Sequence, residues 1–305
     1  MRIAHFSDLH VLALEGVKAH RFFNKRFTGW VNLRLKRAHK HRPGHVRAVA
    51  REIARAGVDH VAITGDLTNL ALEQEFEAVK ELLESELGLP ADRISAVPGN
   101  HDLYTRGAMR DRRFTSWFSE YVKSDLPELS AEISLGRFPF VKLRGPVAII
   151  GLSSAVPRPP LMASGQLGKP QLEALRKILD HAEVKKRTPI VLMHHPIHNP
   201  ASRVKTFVEG LWDADALAQA LHAVPRALLL HGHLHVRRRS PVGTPTGDII
   251  SYGATSASLH HEHEHRMAGF NLYDIDDGGA LVKVEAHVLD PRDESFHVEQ
   301  VPLVA

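Results

Sequence analysis

The chain has 305 residues, 43% of them hydrophobic, with a mean hydropathy of −0.19 and a formal net charge of +4. Enough apolar residues are present for a sizeable core, and no apolar run approaches the roughly 18 residues that a membrane-spanning helix needs. The absence of cysteine excludes disulfides, thiolate metal ligands and a cysteine nucleophile.

That absence suits a reducing cytoplasm. A strand starting at Arg2 leaves no room for a signal peptide ahead of it, so a cytoplasmic protein is expected. Short β-branched runs then alternate with helical patterns. The strand Arg2–Ser7 precedes a helix at His45–Ala56, and the strand Val58–Thr64 precedes a helix at Glu73–Gly88. The strand Ile94–Val97 comes before a helix at Asp111–Lys123, and Val147–Leu152 before a helix at Pro170–Ala182. Next come a strand at Ile190–Met193, a helix at Asp213–Ala223 and a strand at Ala227–His231. Helical stretches carry apolar positions at three- and four-residue spacing. After His235 the pattern changes to strands, at Asp248–Thr255, Phe270–Ile275, Ala280–Val288 and Phe296–Val301. This is α/β with a β-rich end, and two packed sheets flanked by helices satisfy it. No repeat or linker interrupts the order. Residues 1–305 are therefore expected to form a single domain, with a helical lid at about 104–135.

Five polar clusters punctuate this order: Asp8-Leu9-His10, Gly65-Asp66, Gly99-Asn100-His101-Asp102, His194-His195-Pro196 and His231-Gly232-His233-Leu234-His235. Each follows a predicted strand, where the loops of an open α/β sheet converge on ligands. One such motif alone is more often a turn or a core histidine. The set, at strand ends, points to a metal site. Carboxylate, amide and imidazole donors without sulfur suit Mn, Fe or Zn. One division of them places Asp8, His10 and His235 on a first ion and Asn100, His194 and His233 on a second, with Asp66 bridging. A bridging carboxylate offsets repulsion between dications roughly 3.5–4 Å apart, and the pair lowers the pKa of a shared water towards ~7. The expected reaction is hydrolysis of a phosphate ester by attack of that bridging hydroxide. His101 faces substrate as general acid in this reading, with Asp102 fixing its tautomer.

In sequence and order, DLH, GD, GNHD, HHP and GHLH resemble the calcineurin-like metallophosphoesterase family over about residues 1–260. The resemblance implies a four-layer α-β-β-α sandwich of two mixed sheets flanked by helices. It also implies the ligand division above and a catalytic role for His101. Asn69 stands where many relatives carry Asp, which leaves the ligand set untouched. Gly151–Ser154 with Gly165–Leu172 is similar to the family's stretch before its fourth motif. Relatives with these spellings include class III cyclic-nucleotide phosphodiesterases, so a phosphodiester is the first substrate expected. A second branch that the chain resembles hydrolyses the pyrophosphate of UDP-2,3-diacylglucosamine in lipid A synthesis. A metal-bearing scaffold without turnover is a third reading, opposed by the presence of His101 beside every ligand.

The charge is uneven. Lys18, Arg21, Lys25, Arg26, Arg34, Lys36, Arg37, Lys40, Arg42 and Arg47 fall in a stretch without acids. Setting those ten aside leaves 29 basic against 35 acidic residues. Phe23, Phe27, Trp30, Val31 and Leu35 form one helical stripe, so residues 18–47 read as a basic amphipathic insertion. It either docks on an anionic membrane, peripheral to the inner face, or packs its stripe on the core. Arg237, Arg238 and Arg239 add a second basic group. A nucleic-acid groove is disfavoured, since few aromatics are interleaved for stacking. The run His260–His265 reads as a polar loop between strands ahead of a third metal site, His231 as structural, and His195 and His198 as solvated or substrate-facing.

Overall fold

The computed structural model describes residues 1–17, 26, 40–243, 245 and 248–303. Elements that position the centre come first: β1 (Arg2–Phe6), α1 (Pro43–Arg55), β2 (His60–Ile63), α2 (Glu73–Leu87) and β3 (Ile94–Ala96). Two short helices follow, α3 (Arg106–Arg110) and α4 (Arg113–Trp117), then β4 (Ala131–Ile133), β5 (Gly136–Phe138), β6 (Phe140–Arg144) and β7 (Val147–Gly151). The second half holds α5 (Lys169–Asp180), α6 (Ala182–Lys185), β8 (Thr188–Leu192), α7 (Arg203–Glu209), α8 (Ala214–Leu221) and β9 (Arg226–His231). It ends in β10 (Arg238–Pro241), β11 (Asp248–Gly253), β12 (Gly269–Ile275), β13 (Leu281–Leu289) and β14 (Phe296–Glu299).

Two six-stranded mixed sheets result, ordered β14-β13-β12-β1-β2-β3 and β10-β11-β9-β8-β7-β6. Within the first, β1, β2 and β3 are parallel and β12 joins β1 antiparallel. In the second, β7, β8, β9 and β11 are parallel. Strands buried on both faces read as continuous apolar runs, and the second sheet shows why. Ile190, Leu192, Leu228 and Leu230 point into a core shared with the first sheet. Their alternating neighbours Val191 and Leu229 pack with Leu175 and Ile178 of α5 and Leu217 of α8. On the far side of the first sheet, α1 buries Val46, Val49, Ala50 and Ile53, one stripe at helical spacing. α2 buries Phe76, Val79, Leu83 and Leu87 and ends at Gly88, whose φ of 64° is the left-handed angle that a helix terminator uses. The order of layers is helix, sheet, sheet, helix, as the sequence pattern implies.

Two expectations are corrected. The helix expected at Asp111–Lys123 is broken into α4 and a 3-10 turn at Ser119–Val122. Arg112 takes a φ of 49° and Phe118 leaves helical angles, so that Phe114, Phe118 and Tyr121 all turn inward. These three anchor the segment expected as a lid. Arg237 is not part of a surface basic group: its guanidinium is buried and donates to the Glu264 carbonyl at 2.7 Å. Among the described residues, no helix is long and apolar enough to cross a membrane. The stripe Phe23–Leu35 lies outside the described residues.

Candidate metal centre

Each of the five motifs sits just past a strand of one sheet or the other, and all five meet. Asp8 follows β1, Asp66 follows β2 and Asn100 follows β3, while His194 follows β8 and His233 with His235 follow β9. The loops are tied edge to edge: the Asp8 N–H donates to the Gly65 carbonyl at 2.9 Å, and the His10 N–H to the Asp66 carbonyl at 2.9 Å. Two motif glycines are there because the carboxylates are. A Cβ at Gly99 would strike the Asp66 carboxylate, and one at Gly232 would strike that of Asp8.

Backbone angles mark the same residues. Asp8, His10, Asp66, His233 and His235 have φ of 54°, 48°, 52°, 69° and 52°. Side chains other than glycine rarely adopt this region, at a cost of about 1–2 kcal/mol each. Five candidate ligands share it because a left-handed residue turns the chain sharply and aims its side chain back across the strand ends.

The donor atoms cluster in two groups around one carboxylate. In the first, His235 Nε2 lies 3.0 Å from Asp8 Oδ1 and 3.3 Å from His10 Nε2. In the second, Asn100 Oδ1 lies 3.2 Å from both His194 Nε2 and His233 Nδ1. Asp66 Oδ2 stands between, 4.0 Å from His10 Nε2 and 3.4 Å from His194 Nε2. Ligand atoms that share an ion at about 2.0–2.2 Å have comparable mutual spacing, so the donor set fits a pair of divalent ions. Main-chain carbonyls hold two of the rings. His194 Nδ1 is 2.7 Å from the Thr64 carbonyl, and His233 Nε2 is 3.0 Å from that of Glu209. Each leaves its other nitrogen for the centre.

His101 lies beside this cluster. Its main-chain N–H donates to Asp66 Oδ1 at 2.7 Å, and its ring meets that of His10 edge-on at 5.0 Å. The support expected from Asp102 is replaced. Asp102 accepts from the main-chain N–H groups of Gly99 and Thr68 at 2.9 Å each, from that of Leu67 at 3.3 Å and from the Thr68 hydroxyl at 2.9 Å. Those bonds engage both its oxygens and clamp the loops after β2 and β3. The tautomer of His101 is set by the Asn69 carbonyl, 2.7 Å from Nδ1.

Sequence reasoning missed several contributors. Asn69 also donates its side-chain amide to the His10 carbonyl, so one residue orients two histidines. His41, isolated in sequence, brings its ring within 4.8 Å of His10 and 5.7 Å of His235, its Nδ1 being 2.7 Å from the Ser258 hydroxyl. Apart from its position in space, nothing distinguishes it from other loop histidines. A cleft of about 530 Å³ opens from His10, His41 and Asn69 between apolar walls that include Val11, Pro43 and Leu82. His195 is buried, not solvated: its nitrogens meet the Ser154 hydroxyl at 2.9 Å and the Ala163 carbonyl at 2.7 Å. His198 bonds the Pro241 carbonyl, and His231 is buried against Gly232. The His260–His265 run is a half-exposed to exposed loop between β11 and β12.

The sequence model of the calcineurin-like phosphoesterase family matches residues 1–237. The chain belongs to that family. Among solved structures, the phosphoesterase is similar to a dimetal phosphatase from Danio rerio, at 14% identity and a TM-score of 0.57, covering 90% of this chain and 92% of that one. It is also similar to a purple acid phosphatase from yellow lupin seeds, at 14% identity and a TM-score of 0.58, covering 97% of this chain and 52% of the other. A 5′-nucleotidase precursor from Thermus thermophilus shares 15% identity at a TM-score of 0.51, with 94% and 53% covered. The phosphoesterase thus spans about half the length of the last two, and at such identities the likeness speaks for the fold. No curated protein matches the sequence.

Charge in the phosphoesterase centre is arranged against burial. Burial opposes ionisation of Asp66, yet His194 and His101 hold its carboxyl well below the usual range. Asp8 is lowered likewise by His235. Burial also opposes charge on His194, but Asp66 outweighs it and pushes the imidazole up to about 9. His233 is pushed down to about 4 by burial and by His194, and His10 lies well below its ordinary value through burial and His41. The centre therefore holds two buried anions among imidazoles, an environment that favours cations.

Proposed function

We propose that this phosphoesterase hydrolyses a phosphodiester, with two divalent ions, Mn, Fe or Zn, held by the seven candidate ligands. Asp8, His10 and His235 would hold one, Asn100, His194 and His233 the other, and Asp66 both. The observation that carries the reading is the position of Asp66 Oδ2, within 4.0 Å of His10 and 3.4 Å of His194, between the two donor groups. Bound there, the ions supply Lewis-acid stabilisation of phosphoryl oxygens and an activated water. The chain supplies the rest. His101, with Nδ1 engaged by Asn69, would protonate the leaving oxygen through Nε2, help that is typically worth ~10²–10⁴ in rate. Tyr104 stacks on its ring at 5.4 Å and limits its rotation. The cleft walled by Val11, Pro43 and Leu82 excludes water from one arm of the ester.

Cyclic nucleotides are one candidate substrate. The apolar walls of the cleft favour keeping the lipid nucleotide as the second reading. A panel of bis-p-nitrophenyl phosphate, cyclic nucleotides and UDP-2,3-diacylglucosamine, run with the full chain and defined Mn, tests both. Turnover of the first two supports the phosphodiesterase. Turnover confined to the lipid nucleotide replaces it with the pyrophosphate hydrolase, and metal binding without any turnover leaves only the scaffold.

A further inference from the structure

Beyond Tyr104 a second depression of about 580 Å³ runs between the 104–113 segment and the loop at 157–160. Five arginines line it: Arg26, Arg106, Arg110, Arg113 and Arg158. Among the described residues that line it, Asp111 is the one carboxylate. It pairs with Arg110 at 2.9 Å and with Arg113 at 3.2 Å. Three of the arginines are fixed by other contacts. Arg26 donates to the carbonyls of Leu70 and Ala71 at 2.7 and 2.9 Å. Arg113 is 3.0 Å from Glu73, and Arg158 lies 3.5 Å over the Trp212 ring and donates to the Ser164 carbonyl. Asp111 and Glu73 offset part of this positive charge, and an anion that joined the guanidinium groups would offset more. Their planar forks match the oxygens of a phosphate, and holding them in place beforehand lowers the entropic cost of binding it.

The groove also borders the centre on both sides. Tyr104, on one wall, stacks on His101 at 5.4 Å. On the other, the loop bearing Arg158 runs to Ala163, whose carbonyl meets His195 Nε2 at 2.7 Å, and the His195 ring is 4.4 Å from that of His233. We propose that this groove is a second anion site, which takes a phosphate group of the substrate other than the one being hydrolysed. The inference deepens the phosphodiesterase reading and rests on it for the identity of the ligand. It narrows the substrate to esters that carry at least two phosphates, which sets cyclic mononucleotides aside.

Calorimetric titration of the Mn-loaded full chain with inorganic phosphate at low salt tests it. Two sites are expected, one removed by chelating the metal and one insensitive to chelation. The second should weaken as salt rises, and R106A/R110A, which removes two exposed side chains, should weaken it about tenfold or more. R106A/R158A is the companion variant, and kcat/KM for bis-p-nitrophenyl phosphate, which has no second phosphate, should stay within about twofold in R106A/R110A. A single, chelation-sensitive site in the wild type overturns the proposal, as does a second site that both variants leave intact. Loss of the chelation-sensitive site alone counts against the phosphoesterase reading and leaves the groove standing.

Discussion

The loops after β1, β2 and β3 of the first sheet bring both carboxylates, an amide and one imidazole to the centre, in Asp8, Asp66, Asn100 and His10, whereas those after β8 and β9 of the second bring the imidazoles of His194, His233 and His235. The two halves also differ in charge. Neighbouring histidines hold the carboxyls of Asp8 and Asp66 down against burial, while burial and His194 push His233 down to about 4. The first sheet supplies both candidate carboxylates, and the second supplies three of the four candidate imidazoles. Neither half is a site alone. The division shows why a buried centre of this kind is tolerable: the anions are few, and each faces a ring that can share their charge.

Removing the shared anion should break the comparison most severely. Asp66→Ala is expected to abolish paired metal binding and turnover, since Asp66 is the residue both groups face. Metal content by mass spectrometry and the rate on bis-p-nitrophenyl phosphate check this, and a variant with two ions and wild-type rate would refute the bridge. A smaller effect should follow from His101→Ala, which removes neither a carboxylate nor a candidate ligand. Both ions should remain while the rate falls ~10²–10⁴-fold, most for substrates with poor leaving groups. Should metal loss account for the whole defect, His101 belongs with the ligands and not with the substrate.

The smallest effect concerns an acid of the first half that is not a candidate ligand. Glu75 is buried and accepts the N–H groups of Leu70 and Leu72 at 2.8 and 3.2 Å. Burial raises its carboxyl from 4.5 to about 8. Because the folded state holds this proton more tightly than the unfolded one, stability should fall as pH rises from about 4.5 to about 8. The slope is at most about 1.4 kcal/mol per pH unit. Glu75→Gln keeps an acceptor for both N–H groups and should flatten that slope without changing metal content. Denaturation at several pH values measures it, and an unchanged slope would show that Glu75 does not carry the dependence.

Much of this was legible in the sequence because the candidate ligands are written as short motifs at strand ends, and strand ends are visible as breaks in apolar periodicity. Asp8, Asp66, Asn100, His194 and His233 fall where the pattern places them. What stayed hidden depends on contacts across the chain. His41 carries no local motif and reaches the centre through its bridge to Leu259 and its bond to the Ser258 hydroxyl. Asp102 reads as a partner for His101, yet main-chain donors from two loops claim its oxygens. The short strands β4, β5 and β6 and the helix α7 lack the length that periodicity needs, and a single inward turn at Phe118 breaks a helix that looks continuous from its spacing alone.

The placement of β1 has a bearing on how the molecule is made. It lies in the interior of its sheet, hydrogen-bonded to β2 on one edge and to β12 on the other. β12 begins only at Gly269, well past His235. A growing polypeptide emerging from the ribosome therefore has every candidate ligand in hand while one edge of β1 still has no neighbour, and an open edge invites pairing with other chains. The last few dozen residues, which carry none of the candidate ligands, are what close that edge.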